Sequence, residues 1–291
     1  MRHLDIGGVT IDRLVEVEGP GYEPTFFFPD ATMEGFEQEM GWLAPHFWDK
    51  AANTFLRAIQ SYVVRTDRHI VLVDACVGHG KERPSTPGWH RLNSTWLDQL
   101  IAAGVHPEAV DYVLCTHLHA DHIGWNTRRE NGRWVPTFPN AKYVFHRDEY
   151  RWWETNGNAM TGSGAEDGSF EDSVLPVMLA GQVALVDYDF AIDDRFTLLP
   201  TAGHSPGHIS VEVRGRTGRA VLAGDVVHHP IQVARPEWNS RFCVDPDASR
   251  ATRRKFVDDH ADTDALILAA HFASPTVGRI VGNGARCRFQ V

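Results

Sequence analysis

Four side chains of the kinds that bind metal ions occur within six residues. The segment reads His117-Leu118-His119-Ala120-Asp121-His122 and follows an apolar, strand-like run. In an extended chain, residues two apart point to the same side, so His117 and His119 can face one ion together. Asp121 and His122 come at the turn into the next element, where they can face a neighbouring ion, and Gly124 permits a close turn. The spacing predicts a metal centre.

Further metal-type side chains stand where later apolar runs end. They are His204 in Gly203-His204-Ser205-Pro206-Gly207-His208, Asp225 after Gly224, and His271 after Ala270. Imidazole and carboxylate ligands without thiolate suit zinc, although manganese, iron or cobalt can occupy such a mixed site. Seven ligands are too many for one tetrahedral ion, so we expect two zinc ions per chain.

With these motifs, the sequence resembles the metallo-β-lactamase superfamily from about residue 61 to about residue 272. The resemblance implies that Asp74, at the end of an early apolar run, supports the metal loop through hydrogen bonds without being a ligand. The ligands that it implies are His117, His119 and His204 for the first ion, Asp121, His122 and His271 for the second, and Asp225 as a bridge.

Such a centre implies hydrolysis by a metal-bound hydroxide. Zinc lowers the pKa of bound water from about 15.7 toward about 7, and one ion can polarise a carbonyl or phosphoryl oxygen of the substrate. The leaving group then needs a proton, for which Asp225, Asp121 and His228 are the candidates. We favour His228, three residues after Asp225, where the lactonases that this chain resembles commonly have a tyrosine.

Three functions fit these residues. The ligand set with Asp225 resembles the lactonase branch, so we expect hydrolysis of a lactone or another carboxylic ester. A phosphotriesterase is the alternative, because similar organophosphate hydrolases have the same ligands. A hydrogen-bond donor beside the metals would favour the lactone, and a wholly aromatic pocket would favour the phosphotriester. A non-catalytic metal-binding protein is disfavoured, because no ligand is missing.

Apolar runs separated by turn residues predict the elements that position these ligands. We expect hairpin strands at 61–66 and 70–74, a helix at 96–103 closed by Gly104, and a strand at 112–115. The second half repeats this order, with strands near 183–186, 196–200, 209–213 and 220–223, a helix near 248–260 and a strand at 265–269. Two β-rich halves with helices outside predict an α/β fold, a four-layer αβ/βα sandwich in a single domain over 1–291.

Two segments do not follow this pattern. Residues 19–53, rich in Phe, Trp and Tyr, are expected to form an aromatic loop region that covers the core edge, lines the substrate pocket or makes a subunit contact. Residues 146–182 are expected to form either a mobile lid or a surface insertion, with helices at 147–155 and 170–179.

Composition limits the partners. The 291 residues carry a formal net charge of −10, and the longest basic run has three residues, so a nucleic acid is not expected. The sequence has no apolar run long enough to span a membrane and no secretory signal, which predicts a cytoplasmic protein that acts on a small molecule. A homodimer is compatible with the sequence. The four cysteines are expected to be reduced, and His208 and His229 to be structural.

Overall fold

The computed structural model describes residues 3–44, 46–156, 167–284 and 286–291. The strands are β1 His3–Asp5, β2 Thr10–Pro20, β3 Trp48–Asp49, β4 Thr54–Arg65, β5 Ile70–Val73, β6 Tyr112–Leu114, β7 Thr127–Glu130, β8 Arg133–Pro136, β9 Lys142–His146, β10 Val183–Val186, β11 Phe196–Pro200, β12 Ile209–Arg214, β13 Arg219–Gly224, β14 Leu266–Ala269, β15 Val277–Asn283 and β16 Arg286–Gln290. The α-helices are α1 Pro24–Phe27, α2 Met33–Leu43, α3 Trp96–Ala102, α4 Ala120–Ile123, α5 Arg147–Asn156, α6 Leu175–Leu179, α7 Ile231–Ala234 and α8 Pro246–His260.

These elements form two compact units, each built from segments that are distant in the sequence. Among the described residues, the first unit comprises 17–58 and 191–291, and the second comprises 3–16 and 59–190. The predicted α/β class is confirmed, whereas a single domain over 1–291 stays a prediction. None of the described helices has the length and apolarity needed to cross a membrane.

The larger sheet has the strand order β1-β2-β4-β5-β6-β9-β10, with β3 beside β4. The predicted hairpin is confirmed, since β4 and β5 pair antiparallel with Tyr62 opposite Val73. Strands β5 and β6 are parallel, and Val73 pairs with Leu114. Parallel strands end at the same edge, so Asp74 and the loop that follows β6 leave the sheet side by side.

The second sheet has the order β11-β12-β13-β14-β15-β16 in the described part of the chain. Strands β13 and β14 are its parallel pair, with Gly224 opposite Ala269. Asp225 and His271 therefore follow the ends of adjacent strands. The strands predicted at 196–200, 209–213, 220–223 and 265–269 are confirmed, and the hairpin β15–β16 had no counterpart in the prediction.

The aromatic region 19–53 differs from the predicted loop, because it contains α1, α2 and β3. The Thr32 side chain accepts a hydrogen bond from the Gly35 N–H and caps α2. Phe36 and Leu43, seven residues apart on one face of α2, are completely buried. Burial of this face stabilises a helix that the sequence did not predict, because prolines and glycines surround it. Much of the region therefore belongs to the core of the first unit.

The segment 146–182 contains the two predicted helical stretches. Helix α5 covers Arg147–Asn156, and a π-helical turn at Phe170–Val174 leads into α6. Asp172 in that turn makes a bidentate ion pair with the buried Arg83 guanidinium, at 2.7 and 2.9 Å. The middle of the predicted lid, 157–166, lies outside the described residues, and a lid motion stays a prediction.

Candidate metal centre

Two buried carboxylates hold the loop 116–122 in the second unit. Asp74 accepts hydrogen bonds from the Thr116 N–H at 2.8 Å and the Thr116 hydroxyl at 3.0 Å. Glu149, 1% exposed, accepts from the Leu118 N–H at 2.9 Å and the Trp153 indole N–H at 2.7 Å. The loop that carries the predicted ligands is thus fixed near its start and at its middle.

Close backbone packing also shapes this loop. Gly124 donates its N–H to the Cys76 carbonyl at 2.7 Å. A Cβ atom at Gly124 would lie 1.8 Å from the Val77 carbonyl oxygen, which no side chain can tolerate. The close turn predicted for Gly124 is confirmed, and its physical reason is contact between two backbone segments.

The histidines of the loop present ring nitrogens to one another. His117 Nε2 lies 2.9 Å from His119 Nδ1, as expected for side chains that share one side of an extended segment. His117 Nδ1 lies 3.1 Å from the Thr116 hydroxyl, and His122 Nδ1 lies 2.9 Å from Asp74 Oδ2. Metal-binding histidines commonly use one ring nitrogen in this way and offer the other to the ion.

In the first unit, three imidazoles surround the buried carboxylate of Asp225. The distances to its Oδ2 are 3.4 Å from His204 Nε2, 3.1 Å from His271 Nε2 and 3.3 Å from His228 Nε2. The Asp225 N–H donates to His208 Nε2 at 2.8 Å. His208 therefore positions the Asp225 carboxylate by binding the Asp225 backbone.

The donor set around Asp225 fits a cation. His271 Nδ1 lies 2.8 Å from the Ala58 carbonyl oxygen, to which it can only donate. In a neutral imidazole, His271 Nε2 then carries no proton, although it faces Asp225 Oδ2. Two acceptors this close repel each other unless a proton or a metal ion lies between them. The same applies to His122, whose Nδ1 faces Asp74 while its Nε2 lies 3.8 Å from Asp121 Oδ1.

His228 lies inside this group of side chains. Its ring stacks parallel to that of His271, with centroids 5.8 Å apart, and is 3% exposed. Its Nδ1 is buried and makes no hydrogen bond with any of the residues that the structure describes. Burial lowers the pKa of His228, and the Asp225 carboxylate opposes that shift. His228 thus lies beside the predicted ligand Asp225, and its role as proton donor stays a prediction.

His229 differs from its neighbour. Its Nε2 donates to the Phe47 carbonyl at 3.0 Å, and its Nδ1 accepts from the Ile231 N–H at 3.2 Å. Burial lowers the pKa of His229 to about 4, so the ring is neutral at pH 7. These contacts agree with the structural role predicted for His229.

Each unit therefore brings together histidine and aspartate side chains of the predicted metal centre. His117, His119, Asp121 and His122 lie together in the second unit, and His204, Asp225, His228 and His271 lie together in the first. Sequence reasoning missed the supporting residues Glu149 and Cys243, and it gave His208 a structural role without identifying its contact with Asp225. The Cys243 thiol, 3.7 Å from His204 Nδ1, had no signal in spacing or motif.

Comparison with known proteins agrees with this geometry. Residues 55–271 match the sequence model of the metallo-beta-lactamase superfamily. The chain is 30% identical to the N-acyl homoserine lactonase AttM of Rhizobium radiobacter over 179 residues, which cover 60% of this chain and 63% of AttM. It is 25% identical to the N-acyl homoserine lactonase AiiA of Bacillus thuringiensis subsp. kurstaki over 119 residues, 41% of this chain and 39% of AiiA. The chain thus spans less than two thirds of the length of these curated relatives.

Solved structures share the fold. The hydrolase AbOPH, of the beta lactamase superfamily, superposes with a TM-score of 0.82 at 24% identity, over 99% of this chain and 96% of AbOPH. The dizinc quorum-quenching lactonase AidC gives a TM-score of 0.79 at 18% identity, over 99% of this chain and 95% of AidC. Because the family match covers most of the chain and includes the His and Asp clusters of both units, the protein belongs to the metallo-beta-lactamase superfamily.

Proposed function

We propose that this protein is a zinc-dependent hydrolase with two ions per chain, acting on a lactone or another carboxylic ester. The names of its relatives, N-acyl homoserine lactonases and a dizinc lactonase, support this class of reaction. In our assignment, His117, His119 and His204 bind one ion, Asp121, His122 and His271 bind the other, and Asp225 bridges them.

The bound ions would supply Lewis acidity, which activates water near neutral pH and polarises the substrate carbonyl. The protein's own residues do the rest. Asp74 and the Ala58 carbonyl fix the tautomers of His122 and His271, so that both rings present Nε2. His208 holds the Asp225 backbone, which keeps its carboxylate among the three imidazoles. Preorganisation of this kind reduces the rearrangement needed at the transition state.

The observation that carries the proposal is the position of His228. Ester hydrolysis expels an alkoxide, which leaves faster when a neighbouring group donates a proton. The buried Nδ1 of His228 makes no hydrogen bond within the described chain, and the other ring nitrogen, Nε2, lies 3.3 Å from the Asp225 carboxylate. A hydrogen-bonding group at this place favours a lactone or ester over a phosphotriester held by aromatic walls alone. Asp121 and Asp225 remain the alternative proton donors.

Metal analysis and a hydrolysis screen test the proposal. We expect about two zinc equivalents per chain, with turnover of lactones or aryl esters above that of phosphotriesters and a β-lactam. Asp225→Ala should abolish turnover, because it removes the bridging carboxylate. An active Asp225→Ala enzyme, or at most one equivalent of metal after zinc reconstitution, would contradict the dinuclear assignment. Faster turnover of phosphotriesters than of every ester would overturn the substrate class.

A further inference from the structure

Four aromatic side chains form a cluster in the first unit, at one side of His228. The aromatic cluster consists of Tyr22, Phe26, Phe27 and Phe242. Tyr22 stacks on Phe27 with centroids 5.7 Å apart, and it lies 5.8 Å from Phe26 and 6.0 Å from Phe242. Phe27 lies 5.3 Å from Phe242. The aromatic cluster joins the start of the aromatic region 19–53 to Phe242, which lies more than 200 residues later in the sequence.

The aromatic cluster extends from solvent to the proposed reaction centre. Phe26 is 45% exposed, Tyr22 and Phe242 are half-buried, and Phe27 is buried. The Phe27 ring meets the His228 ring edge-to-face, with centroids 5.6 Å apart. His228 in turn contacts Asp225. An apolar group that rests on the cluster would therefore bring an attached ester bond toward His228 and Asp225.

Two arginines flank the same cluster. The Arg57 guanidinium carbon lies 4.6 Å from the Tyr22 ring centroid, and that of Arg241 lies 3.9 Å from the Phe26 ring centroid. Arg241 also donates to the Phe26 carbonyl at 3.3 Å. Within the described residues, neither guanidinium has a carboxylate oxygen within 4.0 Å. Aromatic faces, instead of acidic side chains, hold both cations in place.

Acidic groups in the same segment are engaged elsewhere. The Glu23 carboxylate accepts hydrogen bonds from the N–H groups of Thr25 and Phe26, at 3.1 and 2.6 Å, and caps α1. In a chain with a formal net charge of −10, two arginines without acidic partners beside one aromatic cluster form a local positive site. A guanidinium binds a planar carboxylate through two parallel hydrogen bonds, more specifically than it binds a compact anion.

We propose that the aromatic cluster, with Arg57 and Arg241, is a substrate subsite for esters or lactones whose apolar part ends in a carboxylate. The inference rests on the proposed function and adds to it a substrate class. The rings hold the apolar part, the guanidinium groups pair with the carboxylate, and the ester bond lies at His228 and Asp225. Neutral substrates of the same size lack the ion pair and bind less tightly.

A series of paired substrates tests this subsite in the zinc-loaded enzyme. The series consists of 4-nitrophenyl monoesters of the linear dicarboxylic acids from succinic to suberic acid, each compared with its neutral methyl ester. We expect kcat/KM for at least one chain length to be higher for the anionic ester. Arg57→Met and Arg241→Met should each lower that anionic-to-neutral ratio by about 10-fold or more, the range of a hydrogen bond to a charged group.

Arg254→Met is the matched control, because it removes the same charge from an exposed position on α8 and should keep the parent's ratio. Arg57→Lys and Arg241→Lys should keep part of the preference, since the charge remains. The subsite is refuted if the parent turns over both members of every pair equally, or if both methionine variants keep its preference. A zinc-loaded protein that hydrolyses neither ester, nor any lactone, would instead contradict the proposed hydrolysis, and the subsite with it.

Discussion

The resemblance to lactonases implies a tyrosine at the position of His228, and the contacts of His228 bear on its proposed role as proton donor. Imidazole and phenol can both donate a hydrogen bond to a leaving group. The Ser240 hydroxyl lies 3.3 Å from His228 Nε2 and contacts the ring, whereas Gln232 Oε1 accepts the backbone N–H of His228 at 2.6 Å. The side chain is therefore preorganised beside Asp225.

Replacing His228 with alanine should reduce turnover by about 10²–10⁴-fold, the usual contribution of a positioned proton donor. Metal content should stay unchanged, and His228→Tyr should retain more activity than the alanine variant because phenol also donates. Steady-state kinetics with metal analysis measure both effects. His229→Ala, which removes a hydrogen bond to the Phe47 carbonyl, should mainly lower the melting temperature. An alanine variant of His228 with the parent's rate, or one that loses an ion, would exclude the proton-donor role.

At the scale of elements, buried charges join segments that are far apart in the sequence. Lys81 is completely buried, donates to the Thr127 hydroxyl at 2.6 Å and lies 3.6 Å from the Trp134 ring centroid. Its Nζ is also 3.4 Å from Asp172, which already pairs with Arg83. Burial lowers the pKa of Lys81 to about 7, although Asp172 opposes the shift.

This shift predicts a pH dependence of stability. An unfolded lysine keeps its proton up to about pH 10.4, whereas folded Lys81 loses it above about pH 7. The unfolded state then binds more protons, so the Lys81 contribution makes the protein more stable as pH rises from about 7. The free energy of unfolding of the parent should gain about 1 kcal/mol, relative to Lys81→Met, between about pH 7.5 and 8.5.

Urea unfolding of both proteins at the two pH values measures that difference. Lys255→Met, which removes an exposed lysine paired with Asp259 on α8, is the control and should follow the parent. Identical pH dependence in the parent and Lys81→Met would show that the buried amine keeps its proton in the folded protein.

At the scale of the whole molecule, the proposed ligands are far apart in the sequence and meet only in the folded protein, so metal binding and folding should be linked. A ligand that binds only the folded state adds about 4 kcal/mol of stability at about 1,000 times its dissociation constant. For a chain of this size, that corresponds to a rise of about 8–16 °C in the melting temperature.

Calorimetry with and without a chelator measures this linkage. Chelation should lower the melting temperature of the parent, and added zinc should restore it. The Asp225→Ala variant should respond much less, because it lacks the carboxylate that we propose as the bridge. An equal response of parent and variant would place the stabilising metal at other residues.

A cytoplasmic location and a homodimer stay predictions.

The sequence by itself identified the candidate ligands and predicted most of the elements around them. Residue types that bind metal ions appear in short motifs such as His117–His122. The periodic spacing of apolar residues predicts strands such as β12 and β13, because that spacing depends only on the local backbone conformation. The helix Met33–Leu43 escaped this reasoning, since burial of Phe36 and Leu43 stabilises it and glycines interrupt its pattern.

Residues of the same type have different roles in this protein, and only the tertiary structure decided which role each of them has. His228 and His229 are adjacent and chemically identical, yet one lies beside Asp225 and the other donates to the Phe47 carbonyl. Likewise, Arg241 meets Phe26 although 214 residues separate them in the chain. Contacts between distant segments depend on how whole elements pack, and local patterns carry no information about that packing. The supporting residues Glu149 and Cys243 and the aromatic cluster were therefore identified only in the folded protein, whereas the sequence had already indicated Asp74.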